Sequence, residues 1–128
     1  MRMSRSRRFI ICAGPVLAMA LFFSSAGDGA AQQKGDVAAG KVKYQQLCAS
    51  CHGVTGKGDG VAAKALNPKP RNHTDAKYMK TITDEYIAKI TKLGGVAVGK
   101  SPLMPPWGGV LSDADLQNLV AFMRSLAK

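Results

Sequence analysis

Cys48-Ala49-Ser50-Cys51-His52 is the segment whose residue types and spacing specify a chemistry most directly. Two thiols separated by two residues can each add to one vinyl group of a single haem, while the imidazole that follows reaches the iron. The segment therefore reads as a covalent haem attachment site, holding one haem c and its iron through Cys48, Cys51 and His52. Zinc is a rival chemistry, with Cys48, Cys51, His52 and His73 as a four-ligand set. Adjacent Cys51 and His52 reach one small tetrahedral ion with difficulty, and the chain has no second cysteine pair. A thiol redox motif is the other rival, but it expects a βαβ setting that this sequence lacks. A disulfide between Cys48 and Cys51 would close a very small loop and stabilise little.

A second iron ligand can be argued from softness and stiffness. A thioether sulfur suits haem iron, and Met104 lies in a loop restricted by Pro102, Pro105 and Pro106, so little entropy remains to be lost when it is held at the distal face. His73 is the competing ligand, but it sits in a polar run with Asn72 and Thr74 and reads as a surface histidine. Met79 and Met123 fall on helical apolar faces and read as core.

The elements that must position these groups are helical, with no convincing strand. Asp36 caps a first helix carrying Val37, Gly40, Tyr44 and Leu47, which runs into the cysteines. A glycine-rich loop from Gly53 to Pro70 follows, with a short helix expected over Val61 to Leu66 and a close in Asn67-Pro68-Lys69-Pro70-Arg71. A helical turn over Asp75 to Met79 precedes a helix capped by Thr83, with Tyr86, Ile87, Ile90 and Leu93 on one face and Gly94-Gly95 as its stop. Ser112 and Asp115 open a final helix that presents Leu116, Leu119, Val120, Met123 and Leu126 at spacings of three and four.

The chain has 128 residues, 18 Lys plus Arg against 8 Asp plus Glu, and three cysteines, which excludes a multidomain enzyme. Arg2, Arg5, Arg7 and Arg8 precede an apolar run from Phe9 to Phe23 that contains Cys12, the layout of a secretory signal. Gly29-Ala30-Ala31 offers a cut before Gln32, so residues 1–31 read as a signal peptide and 32–128 as the domain; a cut after Ala26 and retention as an uncleaved anchor are the alternatives. Ser6-Arg7-Arg8-Phe9-Ile10-Ile11 resembles a twin-arginine signal, but attachment of a cofactor after export favours an unfolded passage. Without residues 1–31, 97 residues remain and the formal charge falls from +10 to +7. A domain of that size buries little core of its own, and a large apolar cofactor would supply the missing support.

Residues 34 to 128 resemble a class I monohaem cytochrome c of the small bacterial exported type. Gly40 and Tyr44 resemble the glycine and aromatic pair that in this family packs on the last helix, where Leu119 and Phe122 take the matching positions. Gly53-x-x-Gly56-x-Gly58 and Ser101-Pro102-Leu103-Met104-Pro105-Pro106-Trp107-Gly108 resemble bacterial members, and the long central loops of mitochondrial cytochrome c are not reproduced. The resemblance implies an all-α class I cytochrome c fold, three to five helices wrapped around one covalently attached haem. It also implies that the His52 N–H donates to a proline carbonyl, from Pro68 or Pro70. Arg71 and Trp107 are candidate donors to the haem propionates, against the alternative that Arg71 is solvated and Trp107 packs on the ring. Tyr78 and Tyr86 read as core or rim.

With His52 and Met104 both bound, no site stays open for substrate, which suits an electron carrier rather than an enzyme. The alternative is a haem c subunit or a small-ligand-binding haem enzyme with a labile Met104. A haem sensor would need an output module that the sequence lacks. Lys57, Lys64, Lys69, Lys77, Lys80, Lys89, Lys92 and Lys100 crowd the central chain without the aromatic interleaving of a nucleic-acid binder. They suit transient docking of a monomeric periplasmic carrier on acidic surfaces of membrane or periplasmic redox proteins.

Overall fold

A computed structural model describes residues 34–128; the signal peptide, its cut sites and the anchor alternative lie outside the described residues. Helix α1 spans Val37–Leu47, opened by the Asp36 carboxylate, which accepts from the Ala38 and Ala39 N–H groups at 2.7 and 3.1 Å. Cys48 ends it, and a single further turn, α2, covers Ala49–His52. Among the described residues there is no strand.

At the other end of the chain, α5 spans Asp113–Leu126. The Ser112 hydroxyl accepts from the Asp115 N–H at 3.1 Å while the Asp115 carboxylate accepts from the Ser112 N–H at 3.1 Å, the reciprocal box expected from the sequence. Its buried residues are Leu116, Leu119, Val120, Phe122 and Met123.

Helices α1 and α5 cross where Gly40 removes a side chain. A Cβ there would lie 1.9 Å from the Asn118 carbonyl oxygen, so only glycine permits the approach. The Asp36 N–H also donates to Asn118 Oδ1 at 2.7 Å, and Tyr44 meets Phe122 edge to face at 5.1 Å between centroids. Phe122 therefore partners Tyr44 as expected, but Gly40 faces Asn118 rather than Leu119. Leu119, one residue on, is fully buried in the core cluster.

Between these helices lie a 3-10 turn over Val61–Ala65, a short helix α3 over Ala76–Met79 capped by Asp75, and α4 over Asp84–Leu93 capped by Thr83. Tyr86, Ile87 and Ile90 of the expected face of α4 are turned inward, joined by Thr91, and Leu93 alone departs from it. Ile87 and Thr91 are buried, while Leu93 stands 51% exposed at the helix end. Thr91 is tolerated inside because its hydroxyl donates to the Ile87 carbonyl at 2.8 Å. Arg124 of α5 ties the α3–α4 junction down: Nε reaches Asp84 at 2.6 Å, and the two terminal nitrogens donate to the Met79 and Ile82 carbonyls.

Candidate functional site

A cavity of about 430 Å³ is walled by residues from all five α-helices and from the loops on either side of α3 and α4. Helices α1 and α2 bring Tyr44, Cys48, Cys51 and His52; the loop that follows brings Pro68, Pro70, Arg71 and His73; α3 and α4 bring Met79, Tyr86 and Ile87; the last loop brings Met104 and Trp107. The structure thus gathers every residue singled out for cofactor binding onto one largely apolar concave surface, including residues 56 positions apart such as Cys48 and Met104. Two thiols, an imidazole and a thioether on such walls form a donor set suited to a large planar apolar group with a metal at its centre.

The spacing of the attachment segment works because it is one helical turn. The Cys51 and His52 N–H groups both bond back to the Cys48 carbonyl, at 3.2 and 2.9 Å, so the cysteines lie three residues apart on the helix and His52 follows directly. His52 Nδ1 lies 2.9 Å from the Arg71 carbonyl oxygen. A carbonyl only accepts, so Nδ1 carries the hydrogen and Nε2 keeps its lone pair for a metal. Burial lowers the His52 pKa and outweighs this bond, which raises it, so the net direction is toward the neutral ring that can ligate.

The acceptor is therefore Arg71, one residue beyond the Pro68–Pro70 stretch expected to provide it. Both prolines line the cavity, and the Pro70 carbonyl lies against Gly58, at φ +77°, where a Cβ would fall 2.4 Å from its oxygen. Arg71 is exposed, its guanidinium 3.9 Å from the centroid of the Tyr78 ring, and the residue lies on the cavity lining.

His73 departs from the surface position expected of it. Its ring stacks on His52 with centroids 4.4 Å apart and planes 16° from parallel, and its Nδ1 lies 2.9 Å from the Tyr44 hydroxyl. Burial, with His52 and Arg71 adding to it, pushes its pKa down to about 3. The polar neighbours that suggested a surface histidine carry no such information, since the Asn72 side chain is occupied by accepting from Thr74. A ring stacked on His52 approaches a metal from the same side, so His73 cannot be the ligand opposite it.

Met104 reaches the cavity from a different wall. Its carbonyl accepts from the Gly95 N–H at 2.9 Å, its N–H donates to the Ser101 carbonyl at 3.2 Å, and Trp107 N–H donates to the Thr91 carbonyl at 3.0 Å. The loop is therefore laid along the end of α4. A Cβ on Gly95 would stand 2.1 Å from the Ser101 oxygen, so this approach also requires glycine.

The rival chemistries fit poorly. No three His, Cys, Asp or Glu side chains converge as a metal cluster among the described residues, and parallel stacked imidazoles cannot both aim at one tetrahedral ion. Burial, followed by the neighbouring Cys51, pushes the Cys48 thiol up to about 12, opposite to the lowered value of an attacking redox thiol. No helix among the described residues is long and apolar enough to cross a membrane.

The profile of the family described as cytochrome c oxidase, cbb3-type, subunit III matches residues 35–123. The chain belongs to this family of c-type cytochromes. Cytochrome c-554(547) of Halothiobacillus neapolitanus is 35% identical over 97 residues, covering 72% of this chain and 98% of the relative. The cbb3-type cytochrome c oxidase subunit CcoP of Azospirillum sp. (strain B510) is 31% identical over 105 residues; the match covers 77% of this chain but only 31% of CcoP. Among solved structures, the KustC0563 c-type cytochrome superposes with a TM-score of 0.58 at 28% identity, over 70% of this chain and 98% of that one. A chain of the Kuenenia stuttgartiensis reducing HAO-like protein complex Kustc0457/Kustc0458 gives the same score and identity over 73% of this chain and 44% of its own. The fold is the all-α cytochrome c fold, and its chemistry is haem-based electron transfer with haem c and its iron as the cofactor.

Proposed function

We propose that the protein is an exported electron carrier with a single haem c, joined through Cys48 and Cys51, ligated by His52 and Met104, and passing one electron at a time between redox partners. The observation that carries this reading is the His52 ring, held by the Arg71 carbonyl with Nε2 left for the metal, in one cavity with Met104 on a separately anchored wall. Haem c supplies a one-electron iron couple. The chain's own residues do the rest. His52 stays neutral and oriented, Met104 closes the remaining coordination position and favours the ferrous state, and the apolar walls keep water from the iron. Arg71 and Trp107 lie at the cavity as donors for the propionates.

Lys69 and Lys100 line the cavity, and a formal charge of +7 on residues 32–128 favours acidic docking surfaces on periplasmic or membrane redox proteins, met transiently by a monomer. Lys69 is less free than Lys100, since its Nζ donates to the Ala63 and Lys64 carbonyls at 2.6 and 3.1 Å. Export by the leader of residues 1–31, cleaved or kept as an anchor, brings the chain to the compartment of those partners. A second reading, a haem c subunit of a larger redox enzyme, is favoured by the likeness to CcoP, of which this chain matches about a third.

A redox titration of the purified holoprotein, followed optically, tests the first reading. One reversible one-electron step with low-spin spectra in both states supports it. A high-spin ferric spectrum, or turnover of peroxide or nitrite beyond that of free haem, supports the enzyme reading instead.

A further inference from the structure

We propose that His73 is the positioning residue of the proximal ligand: a second imidazole, locked in rotation by the Tyr44 hydroxyl, that stacks on His52 and sets the angle its ring plane takes about the axis toward the iron. The inference rests on the reading of His52 as that ligand. One hydrogen bond, from His52 Nδ1 to the Arg71 carbonyl, fixes the edge of the ring but leaves the ring free to swing about that bond. A parallel ring 4.4 Å away and 16° from coplanar removes the swing on the side it covers.

His73 is itself held at both ends. Its backbone N–H donates to the Gly56 carbonyl at 2.7 Å, and its Nδ1 is 2.9 Å from the Tyr44 hydroxyl. Tyr44 is fully buried, so its O–H needs an acceptor, and Nδ1 is the one within reach. Tyr44 stands in turn at the crossing of α1 and α5, its ring edge against Phe122. The orientation of the iron ligand is thus referred to the close crossing of α1 and α5 through one hydroxyl. Phenylalanine at position 44 would keep the ring and its packing and remove only that link.

In a low-spin ferric haem held by His52 and Met104 the imidazole plane and the sulfur lone pair together orient the half-filled iron orbital, so with Met104 unchanged a shift in the spread of the haem-methyl resonances reports a change in the imidazole angle. The experiment compares proton NMR spectra of the ferric holoproteins of wild type, Tyr44→Phe, His73→Phe and the double variant. All should keep covalent haem and the weak near-infrared sulfur-to-iron band of Met104, while each single variant changes the methyl spread. The double variant should change it no more than one single variant does, because both substitutions remove the same hydrogen bond. A wild-type methyl pattern in Tyr44→Phe, or effects that add, would overturn the inference; Tyr44→Phe alone decides it if the His73 variants fail to mature. A wild-type spectrum without low-spin haem would instead overturn the ligand reading, and that result appears before any variant is made.

Discussion

Met104 is the residue on which the choice between carrier and enzyme turns. Met104→Ala should abolish the sulfur-to-iron band of the ferric protein and lower the reduction potential by a tenth or more of the roughly 0.8 V over which axial ligands act. Optical redox titration measures both, and an unchanged band would assign the ligand elsewhere. His73→Phe should leave that band intact, because His73 lies on the His52 side of the cavity. Gly95→Ala should weaken the band without touching a ligand, since the new Cβ would collide with the Ser101 oxygen and move the loop that carries Met104. The residues of this site were legible in the sequence to the extent that their chemistry is local. Cys48, Cys51 and His52 announce themselves by spacing, and Met104 by its prolines. The sequence places the carbonyl serving His52 one residue too early and His73 at the surface, because neither a carbonyl's direction nor a stacked ring leaves a mark in residue types nearby.

At the scale of elements, the α1–α5 crossing fixes the cavity, and α1 delivers the cysteines from it. Gly40→Ala puts a methyl group into the Asn118 carbonyl, an overpacking that costs about 1–3 kcal/mol. Thermal unfolding of the holoprotein should show a fall in Tm of about 5–20 °C, at roughly 4–8 °C per kcal/mol for a domain of this size. A Tm within a degree of wild type would mean that the helices do not meet as described. Caps make the helix starts readable: Asp36, Thr83 and Ser112 all cap where the sequence places them, and Asp75, read from the sequence as part of its turn, caps that turn instead. The inward face of α4 is readable in Tyr86, Ile87 and Ile90 but not at its edge, because Leu93 is apolar yet terminal and exposed, while Thr91 is polar yet satisfied within its own helix. Burial there is decided by what the helix rests on, and that information is nonlocal.

For the whole molecule, core and cofactor site are not separable. Met79, Ile87 and Met123 belong to the buried core and also to the cavity wall, so a cofactor in the cavity completes the core. The Cys48→Ala/Cys51→Ala chain, which cannot hold haem covalently, should lose cooperative thermal unfolding and near-ultraviolet circular dichroism while keeping part of its helical signal. A sharp unfolding transition near that of the holoprotein would show a core sufficient by itself.

Charge acts over the same scale. Oxidation of the ferrous protein by an acidic redox partner should slow as salt rises, with a Debye length of about 10 Å at 0.1 M. Rates indifferent to salt would remove the lysines from the docking account. The positive balance was plain in the sequence, but which lysines stay available was not. Lys69, Lys92 and Lys43 are each engaged within the fold, by carbonyls or by Asp113 and Asp115.

The central claim is a haem iron closed on both faces by His52 and Met104, and carbon monoxide tests it most directly. Ferrous holoprotein is mixed with carbon monoxide in a stopped-flow instrument at neutral pH. A closed site predicts slow binding or none, with a rate that stops rising with carbon monoxide concentration because departure of Met104 limits it, and Met104→Ala should bind fast. A fast wild-type reaction that rises in proportion to carbon monoxide concentration would contradict the closed site and the carrier function built on it.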